Sequence, residues 1–155
     1  MLRVVLAAAV AVAAGAAAAE PGDPNPPRLN GGDPAAAVAW GAAHLIQDDW
    51  LQIGSTTNQL WFVSSLPNPT ADYPIVRDWV RSEVWDSSGP SRSLVALVEV
   101  DCARERARNV EYYFYQYNNM RGTFSIRDEA PDKWEPFGTG TIRQSYARVI
   151  CRSAR

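Results

Sequence analysis

The 155-residue chain contains one histidine, His44, and only two cysteines, Cys102 and Cys151. One imidazole cannot build a multi-histidine metal site, and no serine triad can centre on any position but His44. His44 itself is expected to be structural or solvent-exposed, and no metal or cofactor is expected. None of Ser64, Ser65, Ser82, Ser87, Ser88 and Ser93 falls in a G-x-S-x-G elbow, and the Gly138-Thr139-Gly140 triplet is too short to cradle a phosphate. An excess of positive charge is also missing. With 15 basic and 17 acidic residues the net charge is -2, which argues against nucleic acid or an anionic membrane as the main partner. Past the first 19 residues no run approaches 18 consecutive apolar positions, so no membrane span is expected to remain. No internal repeat is present.

What the chain does have is unevenly spread. Met1-Leu2-Arg3, an apolar run over residues 4–14 and the small residues Ala17-Ala18-Ala19 before Glu20 read as a cleaved signal peptide, residues 1–19. Its loss leaves 14 basic and 17 acidic residues on a length suited to one domain. No cysteine lies near the cleavage point, so no lipid anchor is expected, and the protein is placed in the periplasm or outside the cell. Residues 20–34 hold five prolines and three glycines and read as a flexible lead, followed by a domain over residues 35–155. In an oxidising compartment Cys102 and Cys151 are most simply one disulfide, closing a loop of roughly 50 residues worth about 4 kcal/mol on a chain-entropy estimate. The other reading, a metal or redox pair, needs nearby ligands or a C-x-x-C spacing that the chain lacks.

Residues 35–47 leave a short helix open: alanines favour it, with apolar spacing at Val38, Ala42, Leu45 and Ile46, while Gly41 costs about 1 kcal/mol. From residue 49 onward the period becomes two. Strands are predicted at 50–55, 59–65, 74–85, 93–108, 109–117 and 122–127, with turn residues between them. Ile142, Tyr146, Val149 and Ile150 then fall on one stripe, predicting an amphipathic helix over 141–152 capped by Thr139 or Thr141. An antiparallel meander of about six strands covered by one C-terminal helix is an α+β fold.

Two groups of residues invite chemistry. Glu99 and Asp101 are two apart on one strand face, about 7 Å, a spacing open to acid and base roles in a small hydrolase. Arg77 and Arg81 share that spacing on the neighbouring strand, and a carboxylate facing a guanidinium stays ionised where a general acid needs a raised pKa. The four residues therefore read as a cross-strand ion network extended by Arg106 and Arg108. The second group is aromatic. Tyr112 and Phe114 alternate with Tyr113, Tyr115 and Tyr117, so one face of that strand is core and the other is either covered or an exposed stripe. Together with Trp61 and Trp85, and with Arg as 14 of the 15 basic residues, the stripe is a candidate binding surface.

Trp79-Val80, Leu97-x-Glu99-x-Asp101-Cys102 with Arg106 and Arg108, Gly122, Trp134-x-Pro136, Gly140-Thr141 and a cysteine in the closing helix resemble the surface-adhesin protein E family. The resemblance covers residues 50–151. It implies an exported bacterial protein with a strongly bent, half-barrel-like antiparallel sheet, a helix packed on it and a Cys102 to Cys151 bridge. It also implies a non-catalytic binding module for an envelope or host-matrix protein or other macromolecule. A structural envelope protein that self-associates as a homodimer is the alternative.

Overall fold

Among the described residues after 49, segments that alternate apolar and polar positions form strand, with one interruption. The computed structural model describes residues 34–56, 59–66, 73–84, 91–127 and 132–154. The expected signal peptide and most of the lead fall outside these residues. Six strands run in sequence order as one antiparallel sheet: β1 Trp50–Ser55, β2 Gln59–Ser64, β3 Ile75–Val84, β4 Ser93–Asp101, β5 Arg106–Tyr117 and β6 Arg121–Arg127. The two-residue β7, Glu135–Pro136, pairs with the start of β5 and is too short to show a period in the sequence. Helix α1, Pro34–His44, precedes the sheet, and α2, Ile142–Ser153, follows it. The α+β meander with a C-terminal helix is the architecture the residues predict.

One predicted strand is two. Residues 93–108 are interrupted at 102–105, where the chain reverses and Glu105 takes a φ of 51°, and β5 then returns with Val100 opposite Ala107. Alternation continues through the turn, so periodicity alone cannot see the reversal.

The two sheet faces are covered by different helices. Val63, Val76, Val80, Ala96, Val98 and Val100 pack against Tyr146, Ala147 and Ile150 of α2. Thr141 caps that helix by accepting from the Gln144 amide at 3.1 Å. Cys102, in the turn after β4, is disulfide-bonded to Cys151 near the end of α2. On the opposite face, Leu60 and Phe62 of β2 pack against Ala37, Trp40 and Leu45. The buried stripe of α1 is therefore Ala37, Trp40 and Gly41, continued by Leu45 just after it; of the predicted positions Leu45 is buried and Val38, Ala42 and Ile46 are exposed. Gly41 lies in mid-helix because a Cβ there would stand 2.3 Å from Leu60 Cδ1. What costs helix propensity permits close helix-sheet approach.

Extra residues at three places bend the strands: Ile53 in β1, Val110 in β5 and one in β6 beside Gly122, whose φ is 79°. A flat sheet would hold β1 and β5 about 19 Å apart. Here Trp50 and Tyr115 line the same cavity, so the open sheet curls toward the α1 face.

Candidate functional site

The site is organised by the bulge at Val110. Before it, Arg106 and Arg108 lie opposite Asp101 and Glu99; after it, Glu111, Tyr113 and Tyr115 lie opposite Leu97, Val95 and Ser93. One extra residue switches β5 from even to odd positions, so two arginines and two tyrosines share a face that strict alternation would divide.

On this face a cavity of about 470 Å³ is lined by Trp50 of β1, Trp79 of β3, Val95 of β4, Tyr113 and Tyr115 of β5, and Met120 of the following turn. The Trp79 and Tyr113 rings are 5.8 Å apart, and Phe124 of β6 lies 5.5 Å from Tyr115 and 6.3 Å from Tyr113. Tyr113 and Tyr115 are half-buried, and Phe124 is exposed. The tyrosine face is neither core nor an open stripe: it is one wall of an aromatic cleft.

A cationic group adjoins the cleft. Glu99, buried between strands, accepts Arg77 Nε at 2.8 Å and Arg108 Nε at 2.7 Å. Burial opposes its ionisation, but the hydrogen bonds and charges of Arg108 and Arg77 outweigh it and hold the carboxyl below the usual range. Asp101, fully buried, accepts Arg106 Nε at 3.0 Å, Arg104 Nη1 at 3.2 Å and the Arg104 amide at 3.1 Å. Its carboxyl is likewise held low against the effect of burial. The guanidinium carbons of Arg106 and Arg108 stand 4.8 and 4.7 Å from the Trp134 ring centre. Both carboxyls are held low between guanidinium groups, the opposite of the raised pKa that a general acid needs.

The expected square of two acids and two arginines is not formed. Arg77 meets Glu99, but Arg81 meets Glu83 on its own strand, with no exposed side-chain surface on either partner. The register explains it: Arg81 lies opposite Val95, and Asp101 opposite Ile75. Arg81 also donates to the Ile46 carbonyl at 2.8 Å and to Asn119 Oδ1 at 3.1 Å. Glu83 in turn accepts Ser93 Oγ and Asn118 Nδ2, each at 2.8 Å. Burial pushes the Glu83 carboxyl up, opposed by Arg81, Asn118 and Ser93. This buried pair ties the end of α1 and the turn after β5 to the sheet beside the cleft.

The other predicted positions scatter. Trp61 points to the opposite face, packed against the α2 core. Tyr117 is on the tyrosine face but does not line the cleft, and Trp85 lies outside the described residues. His44 is exposed at the end of α1. Sequence reasoning missed Trp50, Met120 and Phe124 as cleft residues, and the roles of Trp79 and Trp134. Alternation places Trp79 on the correct face, but only the register brings it to Tyr113. Among the described residues no group of three or more His, Cys, Asp and Glu side chains could hold a metal, and no helix is long and apolar enough to cross a membrane.

Solved structures share this architecture. Protein E of Haemophilus influenzae matches with a TM-score of 0.53 at 14% identity, covering 70% of this chain and 88% of that one. Its second crystal form gives 0.54 at 14%, covering 70% and 91%. Protein E of non-typeable Haemophilus influenzae gives 0.51 at 15%, covering 69% and 78%. No curated protein matches the chain. The family model of surface-adhesin protein E matches residues 41–152, a span from mid-α1 to the last turn of α2 that contains the cleft, the arginine cluster and both cysteines. The chain belongs to the surface-adhesin protein E family.

Proposed function

We propose that the protein is an exported envelope protein acting as a non-catalytic binding module, and that it holds a protein or other macromolecular partner in the cleft between Trp50, Trp79, Tyr113, Tyr115 and Phe124. The observation that carries this reading is the cleft itself. Large, partly exposed rings converge from four strands and are flanked by arginines already ordered by Glu99 and Asp101. Rigid aromatic area beside positioned guanidinium groups is the palette of interface anchors, because such side chains lose little entropy when a partner covers them. Membership in a surface-adhesin family and the signal-like residues 1–19 support an exported location.

The test is binding of the oxidised protein to a panel of purified envelope and extracellular-matrix proteins, repeated with Tyr113→Ala/Tyr115→Ala. We expect at least one partner to bind and the double variant to lose at least tenfold in affinity. Equal affinity in the two proteins would remove the cleft from the reading. A second reading, self-association, is favoured by the sheet edge β6, where Phe124 and Ile126 are 56% and 53% exposed. Sedimentation of wild type and Ile126→Lys separates it from partner binding.

A further inference from the structure

A second cavity lies on the other face of the sheet, where the end of α2 crosses β3, and Asp78 is its only titratable lining residue among those described. Successive strand residues point to opposite faces, so Asp78 faces away from the aromatic cleft that Trp79 lines. The cavity measures about 460 Å³. Leu51, Leu66 and Val149 form apolar walls, with Ser64 and Ser153 among them.

Asp78 is nine-tenths buried, and its only hydrogen bond among the described residues comes from the Trp79 amide to Oδ1, at 2.7 Å. Every other carboxylate buried in the sheet has a guanidinium partner: Glu83 has Arg81, Glu99 has Arg77 and Arg108, and Asp101 has Arg104 and Arg106. Asp78 has none among the described residues. Its strand neighbour on β4 is Val98, and the lining residues from β1, β2 and α2 are uncharged.

A buried carboxylate without a counter-charge is costly when ionised, and a cation entering the cavity removes that cost. The nearby hydroxyls are suited to the same guest. Ser153 Oγ donates to the Val149 carbonyl at 3.2 Å, and Ser64 Oγ accepts the Leu66 amide at 3.2 Å. Each oxygen therefore keeps acceptor capacity for an N–H. Apolar walls around one anion and two acceptors match an ammonium group on an aliphatic stem.

We infer that the Asp78 cavity is a binding subsite for one lysine side chain of a partner, with Asp78 as counter-ion and Leu51, Leu66 and Val149 packing the methylene stem. Burial pushes the Asp78 carboxyl up to about 6, its amide hydrogen bond being the weaker, opposing influence. An ammonium stays charged well above this pH, so occupancy follows ionisation of Asp78 and rises as pH rises through 6. The subsite shares Ser64 and Leu66 with the rim of the aromatic cleft, but Asp78 faces the other side of the sheet from Tyr113 and Tyr115, so Asp78→Asn and the tyrosine double variant test the two separately.

The experiment titrates the oxidised protein with Nα-acetyl-lysine methylamide and its uncharged norleucine counterpart, following amide chemical shifts. The lysine derivative is expected to give saturable shifts at residues 76–79 and 149–154, with affinity about tenfold weaker at pH 5 than at pH 7.5. The norleucine derivative is expected to bind at least tenfold more weakly. Asp78→Asn, an isosteric neutral change, is expected to keep a folded amide spectrum and lose the lysine response. Equal binding of both derivatives, an unchanged response in Asp78→Asn, absence of the pH effect or absence of any saturable shift would each overturn the proposal. The pH and ligand comparisons are made on wild type and do not depend on the variant folding.

Discussion

Arg81 and Glu83 meet with both side chains removed from water, and each is further hydrogen-bonded, Arg81 to the Ile46 carbonyl and Glu83 to Asn118. Breaking such a pair from one side leaves an uncompensated buried charge, which costs more than the pair contributes when intact. Arg81→Met is expected to lower the unfolding free energy by about 3–5 kcal/mol, read by urea titration. Arg81→Met/Glu83→Gln should lose less than Arg81→Met, because the stranded charge has gone. A double variant as damaged as the single would show that lost packing over Trp50 and Phe62, whose rings lie 5.6 and 5.3 Å from the guanidinium carbon, dominates.

At the scale of elements, α2 is held by apolar contacts with the sheet and by a covalent tether near its last turn. Cys102 and Cys151 are 49 residues apart, so the bridge removes considerable freedom from the unfolded chain. Cys102→Ser/Cys151→Ser is expected to cost about 2–4 kcal/mol while leaving the far-ultraviolet spectrum of the folded state unchanged. A loss under 1 kcal/mol would mean that Tyr146, Ala147 and Ile150 hold the helix by themselves. The short Val110 insertion has a larger structural effect than its size suggests, since it determines which β5 side chains join Arg106 and Arg108 on one face.

For the whole molecule, two sets of carboxylates pull stability in opposite directions with pH. Glu99, Asp101 and Asp132 have lowered folded pKa values; in Asp132 the largest cause is the Tyr112 hydroxyl, followed by Asn109. Their contribution is present above the ordinary carboxylate range and is lost as pH falls through the folded values. Asp78 is raised from 3.8 to about 6, so its contribution is complete below its unfolded value and is lost as pH rises through 6. Stability is therefore expected to peak near pH 4, to decline by up to about 3 kcal/mol as pH rises from there to about 6 on account of Asp78, and to level off once the raised carboxyls are ionised in the folded state. Urea unfolding from pH 3 to pH 8 reads this directly. Glu83, also raised by burial, adds to the upper limb, so Asp78→Asn should make that limb shallower and leave the acid limb in place; an unchanged upper limb would assign the decline to Glu83.

Local chemistry made several features legible without coordinates. Period-two alternation in Val76, Val80, Val98 and Val100 marks the apolar face of a sheet, the Ile142, Tyr146 and Ile150 spacing marks a helix on it, and two cysteines without other ligands mark a bridge. These depend on near neighbours along the chain, so the sequence carries them. Tertiary structure decided which side chains meet. A register opposing Arg81 to Val95 broke the expected square, a reversal at residues 102–105 made two strands of one, and a single inserted residue put tyrosines and arginines on one face. Burial of Asp78 under α2 belongs to the same class, because it depends on where a helix more than sixty residues downstream comes to rest. Sequence alone therefore determined the kinds of surface this protein builds; cross-strand register and helix docking, which depend on distant residues, decided what those surfaces hold together.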